Sequence, residues 1–405
     1  MYDVAVIGGG AAGMMAAITA SEAGKKGILL EKNDAVGRKL SATGNGRCNF
    51  TNQSANDVKH YHGAEKSWIG EALTRFSVED ALLFFEKIGA APVLEEQGKY
   101  FPRCGQASAV CELLERKMRA LSIQVYSRCQ VENISFPAAH AEIVCKQENI
   151  LAKHVILATG GLSAPQTGSD GFGYSIAASV GHTIIPCMPV IVQMVTEKGF
   201  RKRLDGLRVK GDAVLAVGDA PVRKESGDIL FFDYGLSGPA VFQLSIPAQY
   251  AIKEGKSAYI ELDLLPDYDE HKLYNEIKWR FSQPALTAGD SLVGLLHKKL
   301  IGSVLEAAGI SEKEEARSIS EQGCRAVCKA IKHWRHKVTQ AKSWENAQAT
   351  AGGISAAEVE AGTLKSKLQS KLSFCGEILD VVGDCGGFNL QWAWTSGFCA
   401  AKGVS

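Results

Sequence analysis

Met1-Tyr-Asp-Val-Ala-Val-Ile7-Gly8-Gly-Gly10-Ala-Ala-Gly13 opens the chain, an apolar strand-like run feeding directly into a glycine-spaced turn. Gly8 permits the tight strand-to-helix reversal, Gly10 lets the backbone approach a pyrophosphate, and Gly13 lets the next helix lie close on the sheet. Ala11, Ala12, Ala16, Ala17 and Ala20 then carry a helix that stops at Gly24. The apolar run Gly27 to Leu30 supplies a second strand, and Glu31 closes it where a carboxylate can accept hydrogen bonds from ribose hydroxyls. Spaced glycines also cap ordinary helices. Strand before, helix after and acid at the end of the next strand together make this a dinucleotide turn, with phosphates resting on the helix N-terminus.

The rest of the chain is long enough for two or three domains, at 405 residues, and at 46% hydrophobic it can bury a sizeable core. Its 45 basic and 44 acidic residues nearly cancel, so no broad field favours nucleic acid or an anionic membrane, and neither is expected as a partner. The basic cluster Arg201, Lys202, Arg203, Arg208 and Lys210 reads as a solvated strand or loop. Eleven cysteines, odd in number and unevenly spaced, fit a reducing compartment, and a cytoplasmic location is expected. The N-terminus is already a strand and carries no signal-peptide pattern, and no apolar stretch approaches the length of a membrane span.

The pattern along the chain predicts an α/β protein in which a doubly wound domain is interrupted twice. Residues 1–190 alternate strands and helices, closing on the strand Lys153 to Ala158 and a second glycine-rich stretch, Gly168 to Gly173, that opens a helix ending near Val180. Pro186 and Pro189 mark a boundary. Residues 191–266 read as short alternating segments, such as Ala213 to Val217 and Ala258 to Leu264, of an antiparallel sheet or small barrel. Residues 267–337 read as a helical insert, with Leu292, Leu295, Leu296, Lys299, Leu300 and Val304 on one stripe and with His333, Trp334 and His336 on its last helix. Residues 338–346 return to the β-rich part. Residues 347–405 resume α/β character and end in an apolar helix from Phe388 to Gly403.

Within that last segment, Cys375-Gly376-Glu377 ends a strand, and Gly386-Gly387 opens the long helix, aiming backbone N–H groups and a positive dipole end at whatever lies beside the first strand's nucleotide. In an FAD protein that partner is the electron-rich edge of the isoalloxazine. No second glycine fingerprint of comparable quality is present. A separate nicotinamide domain is therefore not expected, and NADH or NADPH would dock transiently at the flavin face. No histidine pair stands at zinc-site spacing, so His60, His62, His333 and His336 are read as core or surface, and no metal is expected. Cys48 lacks a C-x-x-C partner, Cys324 and Cys328 read as buried apolar residues, and Trp392 and Trp394 as helix packing.

Gly8 to Gly13, Gly37-Arg-Lys39, Gly44-Asn-Gly-Arg-Cys-Asn-Phe-Thr-Asn52, Tyr100-Phe-Pro102, Ala158-Thr-Gly-Gly161, Tyr234-Gly-Leu-Ser-Gly-Pro239, Thr350-Ala-Gly-Gly353 and Gly376 to Gly397 together resemble the NAD(P)/FAD-dependent oxidoreductase flavoproteins. That group includes a bile-acid dehydro-4,6-reductase and an aminoacetone oxidase. The resemblance covers essentially the whole chain. It implies a two-dinucleotide-binding-type FAD domain, noncovalent FAD, and inserts that cover the flavin face and form the substrate pocket. By position, Gly8, Gly10, Ala11, Ala12 and Gly13 would hold the pyrophosphate. Glu31 and Lys32 would meet the adenosine ribose, and Arg38, Lys39, Asn45, Gly46 and Arg47 the pyrophosphate and flavin side. Val131, in the short strand Gln130 to Ile134, would contact the adenine by backbone. Thr159, Gly160 and Gly161 would flank the AMP half, Gly376 and Glu377 the ribityl chain, and Gly386, Gly387, Phe388, Asn389 and Leu390 the flavin ring.

The reaction implied is hydride transfer from NADH or NADPH through the flavin to an activated C=C bond of a small hydrophobic enone of dehydro-steroid or bile-acid type. An amine oxidase releasing hydrogen peroxide and a slow flavin-binding sensor or RNA-modification accessory are the alternatives. An enone reductase needs a donor at the carbonyl and a proton source for the carbon. Tyr234, Arg103, Arg47 and Cys48 are candidates, each with a packing role equally open to it.

Overall fold

The run Tyr2–Ile7 becomes a central strand, fully buried over its last four residues as a strand flanked on both faces must be. The structure is a computed structural model describing residues 1–146, 148–200 and 202–404. It divides into two compact units, Met1–Pro189 with Trp344–Ser405, and Val190–Ser343.

In the first unit a seven-stranded sheet runs Gln124–Tyr126, Gly27–Leu30, Tyr2–Ile7, Asn149–Leu157, Ala141–Cys145, Val131–Ser135, with Leu372–Phe374 also pairing Asn149–Leu157. The long strand Asn149–Leu157 pairs with Tyr2–Ile7 on one edge and serves two neighbours on the other. Its first half pairs antiparallel with Ala141–Cys145, and its second half pairs parallel with Leu372–Phe374. Ile7 is in register with both Leu30 and Leu157, Leu30 with Tyr126 and Leu157 with Phe374, so five parallel strands finish together. The segments leaving that edge are Gly8–Gly13, Glu31–Asn33, Ala158–Gly161 and Cys375–Glu377. The carboxyl edge of such a sheet is where ligands bind.

Helix Ala11–Glu22 lies against the last helix, Phe388–Lys402, at a contact that only glycine allows. A Cβ on Gly397 would stand 2.4 Å from the Ala12 carbonyl oxygen. The last helix is apolar around most of its circumference. Trp392 and Trp394 are buried in it, and their indole N–H groups donate to the carbonyls of Gly376 and Phe50 at 3.2 and 2.8 Å. Both are packing residues, as the sequence indicates.

The second unit is a closed six-stranded barrel of Met194–Thr196, Gly235–Ser237, Ala220–Phe232, Arg208–Val217, Ala258–Asp263 and Trp334–Ala341, in that spatial order. Helices Glu270–Phe281, Lys298–Ala307 and Glu321–Lys332 share one hydrophobic core with it, in which Leu273, Leu300, Val304 and Val327 meet Leu215, Ile229 and Ile260. Cys324 and Cys328 are buried in that core. Two local readings need correction. Pro239–Lys253 is a helix, Pro at its first turn and Ala240, Val241, Leu244, Ala248 and Ala251 buried along one side, where alternation predicts strand. Trp334 and His336 lie on a barrel strand rather than a helix, with His333 capping the helix before it. There Arg335 and Lys337 are exposed while Trp334, His336 and Val338 are more enclosed, a period of two that three charged residues in the preceding turns obscured.

Of the basic cluster, Arg201 lies outside the described residues. Arg203 pairs with Glu312 at 3.3 Å and Arg208 with Asp228, so much of this charge is matched locally. No helix of the described residues is long and apolar enough to cross a membrane.

Candidate cofactor site

The glycines of the opening turn divide into those that face protein and one that faces open space. Gly8 has φ of +106°, and a Cβ there would lie 2.5 Å from the Ala158 carbonyl oxygen. A Cβ on Gly13 would lie 1.9 Å from the Gly8 carbonyl oxygen. At Gly10 a Cβ would meet nothing within 4 Å. No side chain caps the helix that begins at Ala11, so its first-turn N–H groups face the same open space. A turn closed by backbone on one side and uncapped on the other fits a pyrophosphate, which needs close N–H approach and an unobstructed helix end.

Glu31 is buried at the edge of that turn. Its Oε2 accepts from the Gly9 N–H at 2.7 Å, and its Oε1 from the N–H and side-chain amide of Asn33, both at 2.8 Å. An ionised carboxylate has further lone pairs, so a ribose hydroxyl can still be accepted there. The Cys129 N–H donates to the Glu31 carbonyl and the Arg128 N–H to that of Asn33, which brings the start of the strand Val131–Ser135 to the same end of the sheet. Lys32 is paired with Asp170 at 2.6 Å, docking the second glycine-rich stretch against Asn33, whose amide donates to the Thr167 carbonyl. Thr159, beside Gly8, has a buried hydroxyl without a partner.

A second group joins segments far apart in sequence. Lys39 Nζ donates to Glu377 Oε2 and to Ser163 Oγ, both at 2.6 Å, while the Ser163 hydroxyl donates to the other Glu377 oxygen. Thr350 Oγ1 accepts from the N–H groups of Leu162 and Ser163 at 2.9 and 3.1 Å, and a Cβ on Gly161 would stand 2.4 Å from it. Gly376, at φ +82°, abuts Ala12 of the first helix, and its N–H donates to the Ser396 hydroxyl at 2.8 Å. Ser163 and Thr350 escape the sequence reading. Thr350 opens one quoted motif and Ser163 stands two residues past another, but nothing local says that a hydroxyl there is turned inward.

The third group surrounds the start of the last helix. Gly387 caps it at φ +105° without a side-chain cap, and a Cβ there would collide with the Thr51 carbonyl oxygen at 2.5 Å. Asn49 Oδ1, buried and unpaired, would stand 3.0 Å from the same Cβ. Asn52 donates to the Gly386 carbonyl at 2.9 Å, and Asn389 folds back on Gly383, accepting its N–H at 2.9 Å and donating to its carbonyl at 2.8 Å. Phe388 is buried and Leu390 partly so. An uncapped helix end beside an orphaned amide oxygen fits a heteroaromatic ring with both N–H and carbonyl edges, as an isoalloxazine has.

Not every predicted residue joins these groups. Arg38 pairs with Asp34 at 3.3 Å and donates to Asn33 at 3.2 Å. Arg47 is held by Glu95 and lies 4.2 Å from the Phe101 ring centroid, next to an exposed bend in which Gly44, Asn45 and Gly46 all have positive φ. Cys48 is fully buried, and burial pushes its thiol up to about 12, so it keeps its proton at neutral pH. Arg103 lines an open surface cleft of about 450 Å³ with Pro102, Cys104 and Leu113. Tyr234, in the second unit, stacks on Phe232 at 5.2 Å beneath Lys342, and burial raises its hydroxyl's pKa.

The family described as HI0933-like protein Rossmann domain matches residues 2–403. The 3-dehydro-bile acid delta(4,6)-reductase of Clostridium scindens is 34% identical over 409 residues, which cover 100% of this chain and 99% of that one. The ribosomal RNA dihydrouridine synthase of Haemophilus influenzae is 30% identical over 99% of this chain and 98% of its own. Among solved structures, 3-ketosteroid delta1-dehydrogenase from Sterolibacterium denitrificans aligns with a TM-score of 0.50 at 12% identity, covering 100% of this chain and 99% of that one, a likeness of fold. Matched from end to end in this way, the chain belongs to the HI0933-like protein Rossmann domain family and is an FAD-dependent oxidoreductase.

Proposed function

We propose that the protein reduces a carbon–carbon double bond conjugated to a carbonyl, using NADH or NADPH as electron donor. One observation carries this reading: two full-length relatives have unlike named substrates and one bond class in common. Reduction at the 4,6 positions of a 3-dehydro steroid acts on alkenes conjugated to the 3-ketone. Formation of dihydrouridine saturates the uracil C5=C6 bond, conjugated to the C4 carbonyl. Bound FAD supplies the chemistry both require, accepting hydride from a nicotinamide and passing it to the carbon β to the carbonyl.

The chain's own residues have defined tasks in this reading. The Gly8–Gly13 turn and the uncapped N–H groups from Ala11 hold the pyrophosphate, with Glu31 on the adenosine ribose and the Val131 backbone at the adenine. Glu377, fixed by Lys39 and Ser163, faces the ribityl chain. Gly387 to Leu390 present a positive helix end to the flavin ring, favouring negative charge there. A guanidinium offers only donors, so Arg47 and Arg103 serve as hydrogen-bond donors to a substrate carbonyl or not at all. Of the other two candidates, Tyr234 is half-buried and carries a proton it can give, whereas Cys48 is fully buried and keeps its own.

A small hydrophobic enone of dehydro-steroid type is the favoured substrate, because the charges nearly cancel over the chain and Arg203 and Arg208 of the basic cluster are matched by Glu312 and Asp228. The ribosomal RNA relative supplies the second reading, a uridine in RNA, so charge balance alone does not exclude nucleic acid. Anaerobic stopped-flow spectroscopy separates them. The yellow protein is reduced with NADH or NADPH and then mixed with a steroid 4,6-dien-3-one, a ribosomal RNA fragment, or oxygen. Fast reoxidation by the dienone is expected. Reoxidation by RNA alone moves the substrate to uridine, and rapid reoxidation by oxygen with both alkenes inert refutes the reductase reading.

A further inference from the structure

The turn that enters the last helix is held by two histidines. Asp384, almost wholly buried, sets Oδ2 3.0 Å from His60 Nδ1 and Oδ1 2.9 Å from His62 Nε2. The short ladder pairing Tyr61–Gly63 with Val381–Gly383 delivers both rings to the one carboxylate, and the Asp384 N–H donates to the His60 carbonyl at 2.8 Å. A carboxylate only accepts, so each imidazole presents an N–H to it. The opposite nitrogens, His60 Nε2 and His62 Nδ1, are then the ones that gain or lose a proton. Both rings are 24% exposed, so water reaches them. The His60 ring also stacks on Phe388, centroids 4.5 Å apart at 29°. Phe388 is the first residue of the helix whose end is the proposed flavin seat.

We propose that His60 and His62 are positioning residues that link proton uptake at this turn to reduction of the flavin seated, as proposed above, against Gly387–Leu390. Hydride brings two electrons and one proton, so each reduction makes the cofactor one charge more negative. One clamp imidazole takes the compensating proton from water. On reoxidation the hydride leaves for the substrate carbon, the clamp returns its proton to water, and a second proton from solvent completes the saturated product. The helix end stabilises the same negative charge but binds no proton, which separates the two contributions.

Other groups face the clamp. Lys66, on helix Lys66–Arg75, donates to the Tyr61 carbonyl; burial lowers its pKa, and Asp384 opposes that shift. The Tyr61 hydroxyl, raised mainly by burial and next by Asp384, donates to the Ala55 carbonyl at 2.8 Å. Asp57 pairs with Lys59 at 2.8 Å, Asp380 accepts from the Gly352 N–H at 3.1 Å, and Cys385 follows Asp384 in the chain. Imidazole is the side chain of this set whose ordinary range brackets neutrality.

The test measures proton uptake per two electrons, with an indicator in weak buffer, and flavin potential against pH from about 6 to 8. It compares the wild-type holoprotein with the His60→Gln, His62→Gln double variant. The double variant is expected to lose about one proton per two electrons and to show a shallower dependence of potential on pH. Unchanged uptake and slope in a folded, yellow double variant overturn the clamp and leave the flavin site standing. A wild-type protein that stays colourless with added FAD overturns the flavin site itself. If the double variant does not fold, His60→Gln and His62→Gln are measured singly in the same way; loss of uptake in either supports the clamp, and no loss in both overturns it.

Discussion

Gly10 and Gly13 stand three residues apart in one turn and answer to different demands. A Cβ at Gly13 would sit 1.9 Å from a backbone oxygen, so Gly13→Ala forces helix and strand apart and is expected to destabilise the protein by about 3 kcal/mol, as overpacking does. A Cβ at Gly10 meets nothing within 4 Å, and its φ of −76° suits alanine. Gly10→Ala should therefore melt like the wild type yet purify with much less FAD, because the methyl group occupies the space proposed for the pyrophosphate. Thermal melts and the flavin absorbance of the two variants check this. A Gly10→Ala protein that retains full FAD would move the phosphates elsewhere. Glycine roles are legible in sequence because no other residue meets them. The inward hydroxyls of Ser163 and Thr350 are not, since serine and threonine are as common on surfaces.

At the scale of elements, the strand Asn149–Leu157 and its parallel neighbour Leu372–Phe374 are joined by a side-chain contact as well as by their ladder. His154, 5% exposed, meets the Ser373 hydroxyl at 2.8 Å. Burial, and after it the charge of Lys365, pushes this imidazole down to about 4. The folded state thus keeps His154 neutral while the unfolded chain protonates it below about 6.5, so stability is full above that pH and declines as pH falls towards 4. The group's share of the decline is about 3 kcal/mol. Denaturant unfolding between these pH values should show a shallower decline in His154→Gln than in the wild type. Identical curves would show that His154 is not the group responsible. The strands Tyr2–Ile7 and Gly27–Leu30 and the helix between them follow the sequence closely, because buried parallel strands read as unbroken apolar runs and that helix stops before Gly24. The strand Trp334–Ala341 of the second unit did not, its alternation masked by the charged turns of the helix that runs straight into it.

For the whole molecule, every candidate cofactor residue lies in the first unit, which the chain leaves after Pro189 and re-enters at Trp344, while the candidate proton donor Tyr234 lies in the second. Replacing Val190–Ser343 by a short Gly-Ser linker is expected to leave a protein that still turns yellow with FAD and no longer turns over an enone. Loss of FAD binding in a folded variant would place part of the cofactor site in the second unit. Sequence by itself determined the dinucleotide turn, the sheet that carries it, the barrel and the return of the C-terminal segment, because these rest on local periodicity and on glycines that local geometry demands. Tertiary structure alone decided which distant side chains meet. Lys39 with Glu377, and His60 and His62 with Asp384, are separated by 338, 324 and 322 residues. Such pairs leave no periodic trace in a single sequence, because a contact made by folding constrains the two positions jointly and neither one alone. The opening turn and the last helix are therefore each readable in the chain, while the charge network between them exists only once the sheet has brought its strand ends to one edge.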